Sequence, residues 1–227
     1  MAYTVYKPMV PVRGVLFDMD GVILDSEKLY TRFWQEAGLA LGYPMTREHA
    51  MGMRALNRDA AVQKLQSYFG PKVDYPAIKA KRIELMDAYV AEHGMELKPG
   101  IREILAFLKA QNIPCAICTS SPADRIREYL VPLGIYDSFT AVCTAYQVAH
   151  SKPEPDIYLF GAESIGLPPE QCLALEDSAA GILSGYRAGC MVTMVPDQDA
   201  PDPDTLSRIS ALADSLLDVI DLIQSVN

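Results

Sequence analysis

Two carboxylates one residue apart, Asp18 and Asp20, close the apolar run Val15-Leu16-Phe17. The end of a buried strand is an unfavourable place for charge. Two anions a few ångströms apart also raise each other's pKa unless a cation sits between them. The pair therefore asks for a bound metal or for one carboxyl held protonated, and either condition serves catalysis. Asp-Gly is also turn chemistry, so Asp20-Gly21 alone would be weak ground.

Further polar groups follow other apolar runs. Thr119-Ser120-Ser121 ends IPCAIC, Glu176-Asp177 ends CLAL, and Ser151-Lys152-Pro153 opens a helical stretch. Carboxylates fit Mg2+, which takes hard oxygen ligands and keeps places for phosphate and water. Lysine offers a compact positive charge beside a phosphate or a nucleophile, and hydroxyls at a helix start suit phosphate oxygens. The Thr-Ser-Ser-Pro run also reads as an N-cap cluster for a helix over 123–131. Thr119 and Ser120 are expected to reach the phosphate, and Ser121 is not.

To act together these groups must share an edge of one sheet. Residues 13–18, 113–119, 139–143, 172–176 and 191–195 read as short apolar strands. From residue 101 they alternate with helices expected over 101–110, 123–131, 155–165 and 178–188, and a helical piece near 146–149. That alternation predicts an α/β fold, a Rossmann-like three-layer core with a parallel sheet covered on both faces. Ligands of such sheets bind outside the carboxyl ends of the strands, where the carboxylates and hydroxyls above fall. Residues 196–205 read as an acidic, Pro-rich loop, and 214–224 as a last helix. Gly181, Gly185 and Gly189 are expected to let a helix pack closely on the sheet.

Between Ser26 and about Leu97 the periodicity is helical throughout, with helices expected over 26–40, 46–52, 57–69 and 76–93 and Ser26 as an N-cap. The core thus comprises 1–22 and 99–227, interrupted by an inserted α-helical domain over 23–98. The linkers near 21–26 and 95–99 make a hinge possible.

The chain has 227 residues, half of them apolar and 22% charged, enough for a substantial core. Its net charge of −9 argues against a sequence-independent nucleic-acid binder, which needs clustered Lys and Arg. The segment MAYTVYKPMVPVRG has no uninterrupted apolar core and no small-residue cleavage site, so no signal peptide is expected. No run approaches the ~18 apolar residues of a spanning helix. The five cysteines are odd in number and mostly in apolar surroundings, as reduced cytosolic thiols are. Cys115 and Cys118 form a CxxC inside a strand pattern, which favours plain burial over redox or metal chemistry. His49, His93 and His150 have no metal-ligand spacing.

DMDGVILDS, the TSS after a hydrophobic strand, SKPEPDIY and LEDSAAGI resemble, in order and spacing, the four motifs of the haloacid dehalogenase superfamily, and more closely its β-phosphoglucomutase-like branch. The resemblance implies that Asp18 is the nucleophile, forming an aspartyl-phosphate, and that Asp20 is the general acid and then the base. It implies that Thr119 and Ser120 bind the transferring phosphoryl group and that Lys152 holds Asp18 and the phosphate. Mg2+ would be bound by Asp18, Asp177 and the Asp20 backbone carbonyl, with Glu176 as an additional ligand. The helical insertion would be the family's cap, in which Arg54 is the first candidate for a substrate contact.

The function expected is a Mg2+-dependent phosphatase acting on a small phosphorylated metabolite, a sugar or polyol phosphate, in the cytoplasm, with no nucleic-acid or membrane partner and an open oligomeric state. The alternative is β-phosphoglucomutase-type phosphotransfer. Mutases of the branch carry a histidine where this chain has Tyr30, and Arg54 is displaced by one position from their cap arginine. A halide-releasing dehalogenase needs neither Mg2+ nor the second aspartate. A catalytically silent binding protein has no need of Asp18, Asp20, Lys152 and Asp177 together.

Overall fold

A computed structural model describes residues 3–54, 56, 58–198 and 200–227. In chain order its elements are β1 (Tyr3–Val5), β2 (Gly14–Phe17), α1 (Glu27–Ala40), α2 (Arg47–Met51), α3 (Arg58–Phe69), α4 (Tyr75–His93), α5 (Ile101–Ala110), β3 (Cys115–Thr119), α6 (Ala123–Leu130), β4 (Ala141–Thr144), α7 (Asp156–Ser164), β5 (Cys172–Glu176), α8 (Ala179–Arg187), β6 (Met191–Met194), α9 (Pro203–Arg208), β7 (Ala211–Ala213) and α10 (Leu216–Val226). They form two compact units, Met1–Leu24 with Leu97–Asn227, and Asp25–Glu96.

The first unit is built on a seven-stranded sheet in the order β1-β7-β6-β5-β2-β3-β4. The ladders among β2 to β7 are parallel, and β1 pairs antiparallel with β7. Every residue of β2, β3, β5 and β6 is buried. Since alternate residues point to opposite faces, both faces of the sheet are covered. On one face Leu16, Ala116, Cys118, Cys143, Ala174 and Val192 pack against Ile157, Tyr158 and Ala162 of α7 and Ile182 of α8. Gly185 brings α8 down onto Ala174 and Val192, as its spacing predicted. Strand β2 lies inside the sheet, between β5 and β3, and is buried throughout, so Asp18 follows an enclosed strand.

The second unit holds α1 to α4. Trp34 and Ala37 of α1 share a core with Met45, Ala50, Leu65, Tyr75 and Ile78. Arg82 is buried there, its guanidinium over the rings of Tyr30 and Trp34 at 4.8 and 5.3 Å.

Several local expectations are corrected. The sheet has two more strands, β1 and β7, each three residues long and too short to carry a pattern. The acidic loop expected over 196–205 gives way at Pro203 to α9, where Asp202 accepts from the Thr205 N–H as N-cap and Pro203 occupies the first turn. Ser26 occupies the N-cap position of α1 as expected, its carbonyl accepting from the Leu29 and Tyr30 N–H groups, but with helical backbone geometry and no side-chain cap bond. The N-cap of α6 is Pro122, so Thr119, Ser120 and Ser121 do not cap that helix. Residue 57, where a helix start was expected, lies outside the described residues.

Candidate active site

The parallel registers fix what stands beside Asp18. Phe17 pairs with Ile117 of β3 on one side and Leu175 of β5 on the other, and the Asp18 N–H donates to the Leu175 carbonyl at 3.0 Å. The carboxyl ends of β2, β3 and β5 therefore lie level, bringing Asp18, Thr119 and Glu176 to one edge. The chain then folds back in a tight turn: the Ile23 and Leu24 N–H groups both donate to the Met19 carbonyl. Gly21, with φ +85, sits at the bend, and a Cβ there would overlap Asp177 Oδ2. Glycine is needed on both counts.

Lys152 Nζ donates to Asp18 Oδ1 and to Glu176 Oε1, each at 2.6 Å. The Lys152 side chain is 9% exposed and that of Asp18 12%, while Glu176 is fully buried. Burial pushes the Asp18 carboxyl up to about 7, with Lys152 pulling against it and Glu176 and Asp20 adding to the rise. Burial alone would depress the Lys152 ammonium, but the two carboxylates outweigh it and hold the pKa above its ordinary range. The cluster carries two potential negative charges against one positive, so it is set to take up a further cation or a proton. Asp18, Glu176 and Asp177 each bring one carboxylate oxygen within 4.8 Å of the others, a group that could hold a metal ion. Its donors are all hard oxygens.

Glu176 is closely held. Its Oε1 also accepts from the Tyr158 hydroxyl at 2.6 Å, and its Oε2 from Ser178 Oγ at 3.1 Å and the Ser178 N–H at 3.4 Å. Ser178 is the N-cap of α8, accepting from the Gly181 N–H. Burial beside Glu176 drives the Tyr158 phenol well above its usual value, so it remains a donor.

Asp20 is half-buried, and its Oδ2 accepts from Ser121 Oγ at 3.0 Å. Ser121, set aside on sequence, is thus the hydroxyl of its run that meets the second aspartate. Thr119 is buried at the end of β3 and its Oγ1 accepts from the Ser121 N–H, which orients the Thr-Ser-Ser turn. Ser120 is exposed. Arg54 belongs to the helical unit, where its Nε donates to the Met51 carbonyl at 3.3 Å, and is not among the residues that the core sheet assembles. Sequence reading also missed the role of Tyr158, though its place in SKPEPDIY was a signal.

A groove of about 700 Å3, lined by Arg102, Lys109, Asn112, Asp137 and Ser138, opens near the amino end of β3. The carboxylates and Lys152 stand at the opposite strand ends, and the chemistry belongs with them. The five cysteines are free and buried. Among the described residues no helix is long and apolar enough to cross a membrane.

Known proteins resemble this chain over most of its length. Hexitol phosphatase A of Escherichia coli K12 is 34% identical over 208 residues, covering 90% of this chain and 91% of that protein. The β-phosphoglucomutase of Bacillus subtilis is 29% identical over 186 residues, covering 78% of this chain and 80% of its own length. A HAD family hydrolase from Deinococcus radiodurans R1, solved with bound phosphate and sodium, superposes with a TM-score of 0.77 at 27% identity, over 96% of this chain and 97% of its own. The haloacid dehalogenase-like hydrolase family model matches residues 12–189, from the strand before Asp18 to the end of α8. A match that spans all four motif-bearing segments settles the family: this chain belongs to the haloacid dehalogenase-like hydrolases.

Proposed function

We propose that the chain is a Mg2+-dependent phosphomonoesterase that dephosphorylates a small metabolite, a sugar or polyol phosphate, through an aspartyl-phosphate on Asp18. The observation that carries the reading is the 2.6 Å contact between Lys152 Nζ and Asp18 Oδ1 at the carboxyl end of β2. It puts a cation-held carboxylate where an anionic group binds in this kind of sheet. The likeness to hexitol phosphatase A supports the substrate class.

The residues present fit a divalent cation. Asp18 and Asp177 supply carboxylate oxygens, the Asp20 backbone carbonyl is the further donor the family implies, and the missing Cβ of Gly21 lets Asp177 approach. When bound, Mg2+ neutralises charge on the phosphoryl oxygens during transfer. The protein's own groups do the rest. Asp18 attacks phosphorus in line with the leaving oxygen. Asp20, oriented by the Ser121 hydroxyl, gives that oxygen a proton and then takes one from the water that attacks the aspartyl-phosphate. Lys152 keeps Asp18 directed and lends its remaining N–H to the phosphate. Thr119 accepts from the Ser121 N–H and so retains its own hydroxyl proton for a phosphoryl oxygen, with Ser120 beside it. The helical unit Asp25–Glu96 serves as the family's cap, with Arg54 as a candidate substrate contact. Buried free cysteines support a cytosolic enzyme.

The competing reading, phosphoryl transfer between sugar hydroxyls, draws on the Bacillus subtilis relative, but Tyr30 replaces the mutase histidine. Phosphate release from a panel of hexose, hexitol and nucleoside phosphates, with Mg2+ and with EDTA, tests the proposal. Metal-dependent release from the hexitol and hexose phosphates is expected. No metal-dependent release from any of them, or glucose 1-phosphate isomerisation outrunning release when the bisphosphate activator is supplied, would overturn it.

A further inference from the structure

We infer that Tyr158 is a positioning residue: with Ser178 it holds the Glu176 carboxylate as the anchor of Lys152 and keeps Glu176 out of the metal's ligand set. The inference rests on the phosphatase reading above and departs from the expectation that Glu176 ligates the metal. A carboxylate offers about four lone-pair sites. Here Oε1 accepts from Lys152 Nζ and Tyr158 Oη, both at 2.6 Å, and Oε2 accepts from Ser178 Oγ and N–H at 3.1 and 3.4 Å. All four positions are in use. To ligate an ion, Glu176 would have to release a donor, although its own side chain has no exposed surface.

The surroundings leave it no room to do so by rotating. A Cβ on Gly181 would overlap Glu176 Oε1 and Oε2, so the first turn of α8 lies directly against the carboxylate. Tyr158 itself is fully buried on α7, and its ring faces Lys152 Nζ at 5.0 Å. One side chain thus touches both members of the Lys152–Glu176 pair, the cation with its ring and the anion with its hydroxyl. Lys152 has three N–H donors. Two are committed, to Asp18 and to Glu176, and these fix the direction of the third. Glu176 determines where Lys152 points, and Tyr158 determines where Glu176 sits.

The test combines two variants and two readouts. Tyr158→Phe keeps the ring and removes only the hydroxyl. With Mg2+ and an aryl phosphate, kcat is expected to fall about tenfold with KM changed by less than about twofold, because a charged hydrogen bond is lost without loss of a substrate contact. A lowered Tm with unchanged kcat would make the hydroxyl merely structural and overturn the inference. Independently of turnover, Mn2+ titration of the protein compares Glu176→Gln with Asp177→Asn. The first is expected to bind Mn2+ within about threefold of wild type and the second at least about tenfold more weakly, since only the second removes a ligand. Equal weakening by both would overturn the inference and leave the phosphatase reading standing. Failure of the unmodified protein to bind Mn2+ would overturn both.

Discussion

Lys152 Nζ stands 2.6 Å from Asp18 Oδ1, with both side chains nearly buried. Lys152 comes from a loop 134 residues downstream of Asp18, so only the folded sheet makes the pair. Breaking a buried ion pair by removing one partner costs about 3–5 kcal/mol, because the other charge is left uncompensated. Lys152→Met is therefore expected to lower Tm in EDTA at neutral pH, and to reduce kcat about a hundredfold or more through loss of phosphate stabilisation. Calorimetry and steady-state kinetics check both. A wild-type Tm would mean that the pair contributes nothing to the fold.

Asp18 also sets a pH dependence. Its carboxyl is raised to about 7 by burial, from 3.8 in an exposed chain. Between those values the folded metal-free protein holds a proton that the unfolded chain has lost. Stability contributed at this group is therefore present at low pH and declines as pH rises through about 7. In EDTA, Tm should fall between about pH 5 and about pH 8, and Asp18→Asn should flatten that slope. Metal competes with the proton, so Mg2+ should stabilise the protein more at the higher pH. Thermal scans at the two pH values with and without Mg2+ test this; an unchanged slope in Asp18→Asn would contradict it.

Ser121 donates to Asp20 at 3.0 Å. Ser121→Ala removes one bond to a carboxylate whose work depends on orientation, worth about 1–2 kcal/mol, so kcat should fall roughly fivefold to thirtyfold. KM should stay nearly constant, since the hydroxyl is not assigned to the substrate. A rise in KM at constant kcat would instead make Ser121 a phosphate contact.

Gly21→Ala places a methyl group against Asp177 Oδ2 at a φ of +85. Backbone strain alone costs of order 1 kcal/mol, and displacement of Asp177 adds a specific loss of metal binding. The variant is expected to bind Mn2+ at least about tenfold more weakly than wild type. Wild-type affinity would show that Asp177 does not need its present position.

Much of this site was legible in the sequence for a physical reason. Buried strands are apolar, so Asp18, Thr119 and Glu176 announce themselves as the first polar residues after each run, and α/β topology gathers those ends on one edge. The change in periodicity predicts a helical insertion over 23–98, and the compact helical unit spans Asp25–Glu96. What the one-dimensional pattern does not carry is direction. Three consecutive hydroxyls at 119–121 look alike, and only the turn closed by the Ser121 N–H to Thr119 aims Ser121 at Asp20. Glu176 reads as a metal ligand beside Asp177, while its partners Tyr158 and Lys152 lie in a segment some twenty residues away. Strands β1 and β7 escape notice because three residues show no alternation, and α9 because Pro and Asp mark helix starts as well as loops.

The covalent step at Asp18 is the central claim, and trapping it is the most direct test. Asp20→Asn slows hydrolysis of an aspartyl-phosphate by removing the base, while an aryl phosphate needs no proton from Asp20 to leave. The Asp20→Asn protein, mixed with Mg2+ and an aryl phosphate and quenched in acid, should release about one equivalent of phenolate per site in a burst. Mass spectrometry of its peptides should then place a single phosphoryl group on Asp18. Phenolate released without any phosphorylated peptide, or a phosphoryl group found on another residue, would contradict the account.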